Sequence, residues 1–318
     1  MIGALCISTL AAGGGRDRDR WTMDVALHFH AGTTEYYAVQ SFARNVQQGS
    51  DGRITVRVFP ASQLGSEMEN IEQVRSGFVQ MSVFGDVLTS QLAPEFDPTV
   101  VPFIFPTFQD VANVLDGPLG TLINNALSER GNQTLIGIQM RGPRRLTSSF
   151  PIRTPADLAG VKLRVPEIPR WVAVWGGLGT LPTPVAFAEV YNALQTGVVD
   201  AQENPIQLIY SGRFFEVNRY VMLTDHVHTK YHWTINNDFL NSLPPDLRTL
   251  VLESAAEACA WGDQLVVQRE QELMAYLSGR GVTFIEVDKQ LFINAARPHV
   301  EALEWDPRAR EIIMQFFN

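Results

Sequence analysis

Seven basic residues fall between positions 141 and 170: Arg141, Arg144, Arg145, Arg153, Lys162, Arg164 and Arg170, against only Asp157 and Glu167. The whole chain carries a formal net charge of −9. A basic island in an acidic protein implies an anion site, although a solvated surface explains any one of these residues taken singly. Arg164 stands apart by position. It lies near the end of the apolar run Val161-Lys162-Leu163-Arg164-Val165, which Pro166 stops as a strand. In open α/β sheets, ligands bind outside the carboxyl ends of strands. A guanidinium there offers a planar fork, and hence two charge-assisted hydrogen bonds, to a carboxylate.

Other chemistry finds less support. His226, His228 and His232 in HVHTKYH, and His28 and His30 on one side of an expected strand, have the spacing to chelate a divalent metal. No H-E-x-x-H pattern accompanies them, and polar histidines satisfied near a loop are the simpler reading. There is no G-x-S-x-G and no P-loop, and Gly176-Gly177-Leu178-Gly179 lacks the spacing of a dinucleotide loop. These absences weigh against common hydrolases and dehydrogenases. Cys6 and Cys259, the only cysteines, form no metal or redox motif. The sequence thus reads as a binding protein with no catalytic residue, metal or cofactor; a metal-dependent enzyme on a similar two-lobed fold is the alternative.

The elements that must position Arg164 alternate. Met23–His30 reads as a strand, Thr34–Gln48 as a helix with Val39, Phe42, Ala43 and Val46 on one face, and Arg53–Phe59 as a strand buried on its Ile54, Val56, Val58 side. Glu67–Gly77 reads as a helix with Met68, Ile71, Val74 and Phe78 in phase, and Met81–Phe84 as a short strand. This order implies a largely parallel sheet. Prolines 94, 98, 102 and 106 break residues 92–108 into an ordered loop, whose Phe96, Phe103, Phe105 and Phe108 fill a core or line a ligand wall. A second α/β pattern begins near 135, with strands at Leu135–Met140 and Lys162–Val165, a helical turn at Pro155–Leu158, and a helix marked by Phe187, Val190, Tyr191 and Leu194 that ends at Gly197. From Asp246 to about Ser278 apolar residues recur at helical spacing, over a length of roughly 50 Å. Such a helix outruns one lobe. Cys259 lies inside it as a small packed residue.

The 318 residues suit two α/β lobes. With 45% hydrophobic and 19% charged residues the chain is globular, and its acidity makes nucleic acid a poor partner. Residues 1–15, MIGALCISTLAAGGG, resemble the apolar region and cleavage end of a secretory signal that lacks its basic start. The run is too short to span a bilayer, which takes about 20 apolar residues.

KLRVPE (162–167), RRLTSSFPIRTPADLAG (144–160) and PTPVAFAEVYNALQTGVVDAQENP (182–205) resemble the solute-binding proteins of TRAP transporters, the tripartite ATP-independent importers of carboxylates. GRITVRVFPASQLGSE (52–67), FFEVNRYVMLTDH (214–226) and FINAARP (292–298) extend the likeness to nearly everything after residue 21. The resemblance implies an α/β, two-lobed periplasmic-binding-protein-like fold with a hinge and a long helix spanning both lobes. It implies a leader over 1–20, a first lobe of 21–140 plus 226–268 and a second of 141–225 plus 269–318. By the same resemblance Arg164 takes the ligand carboxylate in a two-pronged ion pair, Arg144 is the second arginine of an R-x-x-T pattern registered by Thr147, Asn204 of QENP binds the carboxylate, and Phe187 packs on the ligand. Glu67, after QLG, is a polar contact from the first lobe. Residues near 28–37 and 84–88 join on hinge closure, Asn236 and Asn237 suit ligand hydroxyls, and Trp171 is either core or pocket wall. Ala201 stands where the family more often has Gly. The implied protein is a periplasmic monomer that hands a small organic acid, a sugar acid before a C4-dicarboxylate, to small and large membrane subunits.

Overall fold

The computed structural model describes residues 20–317, so the leader and Cys6 lie outside the described residues. One nine-stranded sheet runs through the molecule. At one edge Ile54–Phe59, Trp21–Ala26 and Met81–Phe84 lie parallel. At the other, Ala201–Asn204, Lys162–Val165 and Leu181–Pro184 do the same. Two long antiparallel strands, Gln133–Ser148 and Tyr220–Asn236, join the two groups, and Thr283–Ile285 pairs beside the second of them. The expected parallel order therefore holds in each flank and fails at the centre.

Several expectations need revision. The strand at Leu135–Met140 extends to sixteen residues, because backbone pairing continues through Gly142-Pro143 across register shifts at 135/137, 140/142 and 144/146. HVHTKYH lies within the partner strand, not near a loop. The first strand ends at Ala26, so His28 and His30 sit on the segment that follows it. Phe78 is out of phase: Gly77 closes its helix in the left-handed region at φ 76°, and the ring is 71% exposed. Phe108 opens the helix Phe108–Leu115, with Thr107 and Asp110 forming its capping box. Phe103 and Phe105 of the proline-rich loop are buried in the core.

The late helix runs Pro245–Gly279, 35 residues, or about 52 Å. Its first half packs Leu247, Val251, Ala255 and Cys259 into the core that holds Phe42 and Trp233. Its last turns pack Leu277 with Val190, Ile209 and Phe214 in another. Between them the helix lies on the long strand with almost no gap: a Cβ on Gly137 would meet Cys259 Sγ at 2.7 Å, and one on Gly262 would collide with Gln139. No helix among the described residues is long and apolar enough to cross a membrane.

Candidate functional site

A small cavity lies where the two flanks of the sheet face each other. Arg164, Arg144, Asn204, Phe187 and Glu67 all border it. So do Arg141 of the basic island and His28 and Asp86, which fall in the segments near 28–37 and 84–88 expected beside the ligand.

Arg164 reaches the cavity from the third residue of its strand, paired with Thr183, just before Pro166. The side chain is 3% exposed. Its Nε and Nη2 donate to the carbonyl of Val185 at 2.9 and 2.6 Å, and no carboxylate of the described residues lies within 4 Å of it. Burial lowers its pKa to about 10. The charge is thus held in place by a neutral acceptor and left without a counter-ion.

Arg144 is equally buried but matched. Its Nη2 donates to Glu203 Oε1 at 2.7 Å and to the Glu203 carbonyl at 2.8 Å, and its Nε donates to Oε2. The guanidinium lies 4.8 Å over Trp171. Glu203 also meets His226 Nε2 at 3.1 Å. Burial pushes the Glu203 carboxyl up, but Arg144 and His226 together bring it below its ordinary range. Strand alternation sends the neighbouring Arg145 to the opposite face, where Asp225 (2.8 Å) and Glu270 (2.5 Å) hold it. Trp171 is fully buried, donates from Nε1 to the Val100 carbonyl and does not border the cavity.

Asn204 ends the strand opposite Arg145. Its Nδ2 donates to Gln202 Oε1 at 2.7 Å, while its Oδ1 is buried without a partner. Phe187 opens the short helical turn Phe187–Glu189 and meets Phe29, His28 and Phe214 edge-on at 5.7 to 6.3 Å.

The facing wall is acidic. A capping box between Ser66 and Glu69 starts the helix Glu67–Ser76 and fixes Glu67 at its first position. Glu67 accepts from the Gly85 amide at 2.6 Å and lies 3.4 Å from His28 Nε2. Burial raises its pKa to about 7, despite Arg141 nearby. Burial likewise drives His28 well below the usual histidine range, so it is neutral. Asp86, 3% exposed, has Arg141 at 3.9 Å and Lys230 at 3.7 Å, yet neither of its oxygens accepts a hydrogen bond. Arg141 lies over Phe29 and Tyr231 at 5.2 and 5.0 Å. Asn236 and Asn237 are elsewhere: Asn236 caps the following helix and holds Val74, and Asn237 bonds Thr134 and Ser128. They take no part in the cavity.

Residues 26–304 match the family described as bacterial extracellular solute-binding protein, family 7. The chain belongs to this family. Among its relatives, a solute-binding protein of Roseobacter denitrificans is 39% identical over 84% of this chain and 82% of its own length. The 2,3-diketo-L-gulonate-binding periplasmic protein of Escherichia coli is 32% identical over 82% of this chain and 80% of its own. A crystal structure of a TRAP periplasmic solute-binding protein from Roseobacter denitrificans with bound L-galactonate superposes with a TM-score of 0.89 at 36% identity, covering 94% of this chain and 99% of that one. A counterpart from a Sulfitobacter species with bound β-D-galacturonate gives 0.87 at 29%, covering 93% and 99%. The two-lobed α/β fold and the TRAP solute-binding assignment follow. The chain is a binding component of a transporter, not an enzyme, and the metal-dependent alternative falls away. HVHTKYH instead serves the sheet: His226 is turned towards Glu203, and His232 Nδ1 lies 3.2 Å from the Gly85 carbonyl.

Proposed function

We propose that this family 7 solute-binding protein captures a sugar acid in the periplasm and delivers it to the membrane subunits of a TRAP transporter. The observation that carries the reading is the unmatched Arg164 guanidinium facing a cavity whose walls also hold buried polar atoms without partners: Asn204 Oδ1, His28 Nδ1, Arg141 Nε and both oxygens of Asp86. A ligand that satisfies them needs one carboxylate and several hydroxyls. The ligand carboxylate lies on Arg164, with Asn204 and Arg144 beside it, and Phe187 covers the carbon chain. Glu67 and His28 meet hydroxyls from the facing side. The relatives bound to galactonate and galacturonate support this ligand class.

The lobes in this reading comprise 21–140 plus 226–268 and 141–225 plus 269–318, and the ligand favours their closure because it touches both walls only when they are together. The test is a thermal-shift screen of aldonates, uronates and C4-dicarboxylates, followed by calorimetry. A sugar acid at 100 times its dissociation constant stabilises by about 2.7 kcal/mol. Stabilisation by succinate or malate with no response to any sugar acid would overturn the proposal.

A further inference from the structure

We propose that Asp86 is a specificity-determining residue, which accepts hydroxyl hydrogens of a monocarboxylate sugar acid and excludes the matching dicarboxylate. The proposal rests on the sugar-acid reading and goes beyond it by naming the residue that sets the charge of the ligand.

The cations around the cavity pair off with one exception. Arg144 is matched by Glu203. Lys230, fully buried, is matched by Asp97 at 3.4 Å and donates to Thr99 Oγ1 at 2.5 Å. Arg141 faces Asp86 at 3.9 Å. Arg164 alone has no acid within 4 Å among the described residues. One ligand carboxylate therefore completes the set. A second would enter the same cavity, which Glu67 and Asp86 also border.

Asp86 also has the acceptor capacity a polyol requires. Its cationic neighbours stand too far away for hydrogen bonds, and both carboxylate oxygens are buried and unpartnered. Burial raises the Asp86 pKa, but Lys230 and Arg141 beside it favour its charged form, and an ionised carboxylate accepts and never donates. It thus welcomes a hydroxyl and repels a carboxylate, and that repulsion gives discrimination that attractive contacts alone do not.

Calorimetry on the full chain with an aldonate and the aldarate of the same sugar tests this, since the two ligands differ only in the second carboxylate. The aldarate is expected to bind wild type at least 100-fold more weakly. Asp86→Asn should shrink that ratio at least tenfold, and Glu67→Gln should shrink it less. Equal binding of the two ligands by wild type, or an unchanged ratio in folded Asp86→Asn, overturns the role of Asp86 and leaves the sugar-acid reading standing. Should Asp86→Asn fail to fold, Asp86→Ser takes its place, and an unchanged ratio in that variant overturns it. A chain that binds neither ligand overturns the sugar-acid reading and this inference together.

Discussion

The two walls of the cavity are built differently. Arg164, Arg144 and Asn204 project from strands whose hydrogen-bond ladders fix them, and the arginines are tied down by Val185 and Glu203. Glu67 and Asp86 stand at the starts of helices, Glu67–Ser76 and Val87–Leu92; Glu67 accepts from the Gly85 amide, and both Asp86 oxygens are without a partner. In the proposed reading the basic wall takes the carboxylate that organic acids share, and the acidic wall takes the groups that distinguish them. Within the basic wall the two arginines differ again, since Arg144 is matched by Glu203 and Arg164 has no acid within 4 Å among the described residues.

That contrast is open to attack. The largest expected effect comes from Arg144→Ala, which strands Glu203 as a buried charge. Removing one partner of a buried pair costs about 3–5 kcal/mol, so denaturant unfolding should show a stability loss of that order. A loss under about 1 kcal/mol would mean that the pair is not structural. Arg164→Ala should do the reverse, leaving stability near wild type while weakening sugar-acid binding at least tenfold, within the roughly 2–5 kcal/mol typical of a lost buried charge pair. Unchanged affinity by calorimetry would remove Arg164 from the site.

Glu67 sharpens the view of the acidic wall through pH. Its folded pKa, about 7, lies above the ordinary carboxyl value of 4.5. Its protonated form therefore belongs to the most stable folded state. That stability is present below pH 4.5 and is lost as pH rises through 7, by roughly 3 kcal/mol in all. Glu67→Gln should be flatter than wild type between pH 5 and 8 in denaturant titrations. A parallel pH profile would place the titration elsewhere. The smallest effect is expected from Phe187→Ala, a loss of about 1 kcal/mol in ligand binding, read as a few-fold rise in Kd with the protein still folded.

Much of the basic wall was legible in the sequence, because Arg164, Asn204 and Phe187 sit in contiguous motifs. Glu67 was legible too, as the residue that follows QLGS in the family-like run 52–67. Asp86 and His28 were legible only as members of the segments near 84–88 and 28–37, and Arg141 only as a member of the basic island. Each comes from a different element, and only the folded chain brings them to one cavity. Arg141 was visible as one of seven basic residues, but nothing local told it from Arg145, which faces the other way. The long strands were misjudged for a related reason. Gly137, Gly142 and Pro143 interrupt the apolar alternation, while pairing between Gln133–Ser148 and Tyr220–Asn236 carries the backbone through. Phe78 looked in phase with its helix because periodicity alone ignores the left-handed cap at Gly77.

The helix Pro245–Gly279 acts mechanically as a strut. Its ends are seated in two separate cores, and its middle is clamped to the long strand through Gly137 and Gly262. The cores therefore keep a constant spacing along its axis. A spin-label pair at 252 and 276, both on this helix, should act as a fixed ruler with and without ligand.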